Sequence, residues 1–202
     1  MKIFATLTSL ILATSSTQAA IVWSGIVDIP IPPATTLASG LNGVYIDIAT
    51  FNFSTVNDDA FASSDVNVFL GGFAIRSSAD FRPARLAANA TSPILNLLQG
   101  SPIDGSLNFG PDGIGVSDTH VGSGSGQFDS GTEGFIGFAF SDAGGPTQYG
   151  WMRVTLTSNA SGTIHEWAYL DTGEPFEVGL VPEPSVMLLT LLTFPALLRR
   201  RR

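Results

Sequence analysis

Cysteine is absent from this chain of 202 residues. Its absence excludes a disulfide framework, a thiolate metal site and a cysteine nucleophile. Histidine is scarce as well, because His120 and His165 are the only two, and lysine occurs once, at Lys2. Lysine and glutamate are usual surface residues of helices, so the small number of both disfavours a helical fold.

Positive charge is rare between the two ends of the chain. Residues 20–181 hold 16 acidic and 4 basic side chains, a net charge of −12. The four bases are Arg76, Arg82, Arg85 and Arg153. Such an acidic surface repels phosphate backbones, so we expect no nucleic-acid binding. Acidity favours solubility, but it does not specify a partner.

The first residues have the three-part layout of a secretory signal peptide. Lys2 gives a short positive region, residues 3–13 are mostly apolar, and Thr17-Gln18-Ala19 supplies small residues at the recognition positions. We therefore predict a signal helix over residues 1–19 that directs the chain to the Sec export machinery. Cleavage is expected after Ala19, with the bond after Ala20 as the next choice.

Residues 20–179 form the predicted body, in which short β-branched and aromatic runs alternate with turn residues. Val44, Ile46 and Ile48 alternate with polar neighbours. The clearest stretch is Gly134 to Asp171, where three sequential runs predict a meander. The pattern predicts an all-β fold, an antiparallel β-sandwich for which a jelly roll is one topology, between an N-terminal signal helix and a short C-terminal hydrophobic helix.

Three local expectations accompany this fold. Residues 29–33 contain three prolines and are expected to form an extended connection rather than a regular strand. The apolar parity changes between Ile48 and Phe51, which predicts a bulge or a bend near Thr50. A short helical turn is allowed around residues 94–98.

The last 23 residues, 180–202, are read as a separate tail. Residues 181–184 read Val-Pro-Glu-Pro, residues 186–198 are mostly apolar, and Arg199, Arg200, Arg201 and Arg202 end the chain. Thirteen helical residues reach about 20 Å, which is short of a hydrocarbon core of about 30 Å. The arginines favour a cytoplasmic C-terminus, so they are predicted to set the topology of a transient membrane anchor.

This order of motif, apolar span and arginine cluster closely resembles the PEP-CTERM sorting domain. The resemblance implies recognition by exosortase, a membrane cysteine protease that removes such tails. It assigns Pro182, Glu183 and Pro184 as the recognition element. It also implies delivery to the cell surface or the extracellular matrix, with exopolysaccharide as a further partner.

No catalytic constellation follows from the sequence. His165 lies in a predicted strand beside Glu166, and neighbours in a strand point to opposite faces, so neither a Ser–His–acid triad nor a zinc site is predicted. Paired carboxylates of a glycosidase remain conceivable among 16 acids. We therefore predict a protein that is not an enzyme, and we keep a secreted hydrolase as the second alternative.

A carbohydrate-binding module is the first alternative function. Trp151, Trp167 and Tyr169 are the rings that would stack on sugars, although large aromatics more often pack in a core. Trp151 lies opposite the predicted core face of its strand. An exposed row of these three rings would favour the alternative.

Calcium is the one metal that the sequence leaves open. Asn57-Asp58-Asp59 and the segment from Asp112 to Asp118 are oxygen-rich, but neither matches an EF-hand loop. Turn chemistry alone accounts for both segments. No cofactor and no specific metal-binding residue is therefore predicted.

Overall fold

The computed structural model describes residues 19–31, 43–55, 65–69, 74–77, 81–88, 92–109, 117–120, 127–157 and 161–182. Within these ranges the chain is almost entirely β, apart from a 3-10 turn at Asp142–Gly144. The predicted signal helix, the hydrophobic span and the 57–59 loop lie outside the described residues. No helix in the described part of the chain has the length and apolar character needed to cross a membrane.

The described residues form thirteen strands. In chain order these are β1 Ile21–Trp23, β2 Ile29–Ile31, β3 Gly43–Ile46, β4 Phe53–Ser54, β5 Val66–Phe69, β6 Ala74–Ser77, β7 Phe81–Pro83, β8 Pro102–Ile103, β9 Ser117–His120, β10 Glu133–Phe140, β11 Gln148–Leu156, β12 Gly162–Leu170 and β13 Phe176–Glu177.

These strands make three antiparallel sheets. A six-stranded sheet has the order β1-β12-β11-β10-β7, and β2 also pairs with β12. A five-stranded sheet has the order β4-β3-β5-β6-β9, and β8 pairs with β13. The predicted meander is β10, β11 and β12. The alternation of apolar residues therefore located three central strands from the sequence alone.

Each face of the six-stranded sheet contacts an apolar cluster. The inner face, defined by Ile136, Phe138, Met152 and Val154, packs in a first core that also contains residues of the five-stranded sheet such as Ile46. The outer face carries a second core, whose buried members are Ile103, Trp151, Ala168, Leu170, Phe176 and Val178. The central strands are thus buried on both sides over part of their length.

The expectation of an extended connection at residues 29–33 was wrong for its first part. Ile29–Ile31 is a strand that pairs with residues 162–164 of β12. Pro30 lacks an N–H group, but it is tolerated at a sheet edge. Ile29 and Ile31 are buried on either side of the exposed proline. The burial of Ile29 and Ile31 therefore outweighs the loss of one backbone hydrogen-bond donor at Pro30.

The predicted bulge or bend near Thr50 is a tight turn over residues 48–50. Asp47 Oδ1 accepts a hydrogen bond from the Thr50 N–H at 2.9 Å, and Phe51 has a φ of 61°. The chain then reverses, so that Phe53 pairs with Ile46 across β3 and β4. The parity change in the sequence marked a reversal of direction, because an aspartate side chain caps the backbone there.

The helical turn allowed at residues 94–98 does not form. Ile94 makes an isolated bridge with Arg85, and Leu97 makes one with Phe135 of β10. The segment instead crosses the outer face as an extended cover. Leu97 Cδ1 occupies the space that a Cβ atom at Gly137 would need, so glycine permits this close approach.

Candidate functional site

A β-bulge in β12 organises the polar end of the outer face. Arg153 pairs with Glu166 and Val154 pairs with Ile164, so His165 is the extra residue on β12. The bulge brings the side chains of His165 and Glu166 to the same face, where they contact Thr155 and Arg153. The expectation that these neighbours point to opposite faces was therefore wrong. Bulges often redirect side chains next to functional sites.

An ion network lies at this end of the outer face. Arg153 Nε donates to Glu166 Oε1 at 2.8 Å, and Arg153 Nη1 donates to Glu133 Oε1 at 2.8 Å. Trp23 Nε1 donates to the second carboxylate oxygen of Glu166, also at 2.8 Å. Charged side chains thus join β10, β11 and β12. The Trp23 indole N–H connects β1 to the same network.

The protonation of Arg153 is reinforced by this network. Burial of the side chain opposes its charge, but hydrogen bonds and charge attraction from Glu166 and Glu133 outweigh that effect and raise the pKa of Arg153. Glu166 is buried and Glu133 is largely exposed. The Arg153–Glu166 contact is therefore the structurally sensitive half of the network, since a buried charge without a partner is costly.

A second polar chain runs beside the ion network. Thr155 Oγ1 lies 2.8 Å from His165 Nε2, and His165 Nδ1 lies 2.6 Å from Asp28 Oδ1. When Nδ1 carries the proton, it donates to Asp28 and leaves Nε2 to accept the Thr155 O–H. This order of hydroxyl, imidazole and carboxylate is the one used by hydrolytic triads.

The backbone around Asp28 holds this arrangement in place. The N–H groups of Val27 and Asp28 both donate to the carbonyl of His165, at 2.8 and 3.3 Å. Asp28 has a φ of 45°, a left-handed conformation that aspartate tolerates better than most residues. Its side chain is 61% exposed, so the chain opens to solvent at its acidic end.

The three aromatic residues predicted as possible sugar contacts are all buried. Trp151 is 1%, Trp167 is 0% and Tyr169 is 8% exposed. Trp167 Nε1 donates to Ile48 O at 3.2 Å within the first core, and Tyr169 packs edge-on against Phe140. Packing in the cores therefore accounts for these rings, and they present no exposed row to a ligand.

Trp151 differs from the other two because it belongs to the second core. It lies opposite the inner face, as expected, but segments 92–109 and 176–181 cover it. Phe135 packs against its ring at 78°, and its Nε1 donates to Leu180 O at 3.3 Å. The possibility that Trp151 is exposed was therefore wrong, because these two segments, which contain β8 and β13, cover that side of the sheet.

The sorting residues lie largely beyond the described chain. Val181 packs against the second core and Pro182 is exposed. Glu183, Pro184 and the four terminal arginines lie outside the described residues. The described part of the chain thus ends at Pro182, the first residue of the predicted recognition element.

The predicted cleavage region lies at the other end of the body. Ala19 contacts the second core, and the Ala20 N–H donates to Asp171 Oδ1 at 2.8 Å. The Asp171 N–H donates in return to Ala20 O at 3.1 Å. The chain is therefore bound to the body from Ala20 onward, at the position where β1 begins to pair with β12.

Across the described ranges, no group of three or more histidine, cysteine or acidic residues converges to hold a metal ion. Asp118, predicted as part of an oxygen-rich loop, lies on strand β9. The Asn57-Asp58-Asp59 segment and Asp112 lie outside the described residues. Calcium, which the sequence left open, is therefore not tested at either segment.

The polar end of the outer face was missed in the sequence for a definable reason. Its members are distant in the chain, since Asp28 and His165 are separated by 137 positions. Asp28 lies between β1 and β2, and only the pairing of both strands with β12 brings it to His165. One weak signal existed: apolar parity changes between Ile164 and Trp167, and such a change predicts a bulge.

Comparison with protein-family models, with curated proteins and with solved structures gives no match.

Proposed function

We propose that this protein is exported, tethered briefly at the membrane by its tail, and processed by exosortase. The β body then acts as a non-enzymatic component of the cell surface or extracellular matrix, with a role in exopolysaccharide or biofilm structure. The observation that carries the proposal is the succession of Pro182-Glu183-Pro184, the apolar span 186–198 and Arg199–Arg202. A secretory signal pattern at the opposite end agrees with it.

The end of the body supports access to the sorting motif. Val178 is buried, and Trp151 Nε1 holds Leu180 O. Pro182 follows as an exposed residue with a fixed φ. The body therefore holds the chain through Val181, and the first residue of the motif is exposed to solvent.

The start of the body supports cleavage after Ala19. That cut would leave Ala20 as the first residue, and its new ammonium group would lie beside Asp171 Oδ1, where the amide now donates at 2.8 Å. A charge-assisted hydrogen bond would replace a neutral one. A cut after Ala20 would remove both hydrogen bonds between Ala20 and Asp171, so the first position is the better one.

The test is to express the protein, tagged within the body, in cells with and without exosortase. We expect a shorter, released product with Ala20 at its N-terminus only where exosortase is present. N-terminal sequencing and immunoblotting of membrane and medium fractions provide the measurement. A full-length membrane species in both strains would contradict the proposal.

We further propose that the two larger sheets form a β-sandwich. The support is the first core, which combines Val44, Ile46 and Val66 of the five-stranded sheet with Phe138 and Val154 of the six-stranded sheet. Opposed apolar sheet faces that share one core are typical of sandwiches.

A secreted hydrolase is the second candidate function, favoured by the Thr155–His165–Asp28 chain. In that reaction the Thr155 oxygen would attack an acyl carbon while its proton passes to His165 Nε2. The proton would then go to the leaving alcohol, and water would release the acyl group by the reverse route.

The hydrolase candidate is tested with short p-nitrophenyl esters. Enzymatic turnover would disappear in Thr155→Val and in His165→Ala while both variants keep their folded far-UV spectrum. Turnover by the unaltered protein that equals turnover by Thr155→Val would exclude the candidate.

A further inference from the structure

A trough crosses the outer face at the end opposite the ion network. Ala139 of β10 pairs with Arg82 of β7 on one side and with Tyr149 of β11 on the other. Directly paired residues share a face, so two long side chains flank one small one. Ala139 therefore forms a low floor between the walls of Arg82 and Tyr149.

An aromatic pair extends one wall of the trough. The rings of Phe109 and Tyr149 stack with centroids 5.8 Å apart at 30°. Both are only half-buried, in contrast to Trp151 and Trp167. The Tyr149 hydroxyl approaches Gly105, where an added Cβ would lie 3.2 Å from it. The loop that follows β8 therefore lies against the tip of the Tyr149 ring.

The trough is a cavity of about 370 Å³. Its lining combines these aromatic rings with side chains that can hydrogen-bond, Arg82, Asn108 and Thr147. Ligand sites commonly have volumes of about 300–1,000 Å³ and join apolar walls to a few polar groups. Aromatic side chains beside amide, hydroxyl and guanidinium groups suit a ligand that has an apolar face and a hydroxylated rim.

We propose that this trough binds a neutral sugar unit of a glycan. The C–H face of the sugar ring packs on Tyr149 and Phe109. The sugar hydroxyls contact Asn108, Thr147 and Arg82. The net charge of −12 over residues 20–181 disfavours polymers rich in acidic sugars, since like charges repel at long range. The site depends on the folded body alone, so it stands or falls independently of tail processing.

The experiment uses the body purified from residue 20 to residue 182, with its melting temperature recorded for each variant. The body is applied to an array of neutral and uronic-acid oligosaccharides, and bound neutral sugars are then titrated by calorimetry. We expect Tyr149→Ala to weaken binding about tenfold or more, the equivalent of about 1.4 kcal/mol. Tyr149→Phe keeps the ring and is expected to change affinity less than about threefold.

Two further variants separate binding from folding. Ala139→Val enlarges a side chain at the base of the trough that is 1% exposed, so we expect overpacking to lower the melting temperature. In the protein that stays folded, we expect it to abolish binding. Phe53→Ala removes a ring that is 47% exposed on the five-stranded sheet, and it should leave binding unchanged.

Several outcomes would overturn the assignment. These are a failure of the folded body to bind any neutral oligosaccharide at millimolar concentration, binding of acidic oligosaccharides alone, and binding that survives both Tyr149→Ala and Ala139→Val. If the body binds sugar in cells where the tail is never cleaved, the sugar site stands and only the proposal of tail processing is refuted.

Discussion

The two faces of the six-stranded sheet differ most clearly along β11. On the inner face, Met152, Val154 and Leu156 are buried in or beside one apolar core. On the outer face, Tyr149, Trp151, Arg153 and Thr155 pass in turn through the trough, the second core and the polar network. A single strand thus presents a uniform side that stabilises the fold and a varied side that can carry chemistry.

This difference teaches where function can be placed in such a fold. The inner face tolerates little variation, because every position packs against the first core. Among the described residues, segments 92–109 and 176–181 cover the middle of the outer face. The candidate sites lie at its two ends.

The largest expected effect comes from the inner face. Trp167→Ala removes a fully buried ring and its hydrogen bond to Ile48 O. We expect a loss of about 3–5 kcal/mol in the free energy of unfolding, as is typical of large core truncations. Chemical denaturation of the purified body gives this value. A loss below about 1 kcal/mol, comparable to a surface change, would remove the contrast between the two faces.

The next effect concerns the ion network of the outer face. Arg153→Ala leaves Glu166 buried without its cation, so we expect a loss of about 1–3 kcal/mol. Glu133→Gln is the matched control, because Glu133 contacts the same arginine but is 56% exposed, and it should cost less than about 1 kcal/mol. Equal losses in both variants would mean that burial does not distinguish the two carboxylates.

A smaller effect is expected at Thr155. Thr155→Val keeps the side-chain shape and removes the hydroxyl that contacts His165 Nε2, at an expected cost of about 0.5–1.5 kcal/mol. A double-mutant cycle with His165→Ala isolates the contact. Strictly additive losses would show that the hydroxyl and the imidazole do not interact.

The smallest expected effect is a dependence of the unfolding free energy on pH. Burial raises the pKa of Tyr169 above its ordinary value of 10.0, and nearby carboxylates, with Asp142 foremost, add to the shift. The folded state therefore holds the phenol proton more tightly than the unfolded state does. That contribution is fully present below pH 10 and is lost as the pH rises through the folded pKa.

Tyr169→Phe provides the measurement of this pH effect. The unfolding free energy of the unaltered protein should fall above about pH 10, and the variant should show a shallower fall. The comparison is best made between pH 8 and pH 11 by urea denaturation. Identical curves for both proteins would contradict the raised pKa.

Much of the fold follows from local pattern. Alternation predicted β10 and β11, because one face of each must be apolar wherever it packs in a core. The turn residues 158–162 predicted the return of the chain as β12. The same reasoning placed Val44, Ile46 and Ile48 inside, and all three are buried. These assignments needed no knowledge of distant contacts.

The rest depends on contacts that no local pattern encodes. His165 is displaced by a bulge whose register is fixed by its partner strand, so the strand rule misplaced its side chain. Trp151 is covered by segments 92–109 and 176–181, whose strands β8 and β13 are only two residues long each and so give no periodic signal. The trough requires Arg82, Ala139 and Tyr149 to meet across three strands, and pairing register cannot be read from one sequence.

The most direct test of the proposed function is the intact mass of the protein recovered from exosortase-containing cells after Glu183→Ala. The account predicts a full-length, membrane-associated product lacking only the signal peptide, because the sorting motif is broken. Glu177→Ala, which changes an exposed acid on β13 just before the tail, should be shortened like the unaltered protein. A Glu183→Ala product with the same shortened mass would contradict the account.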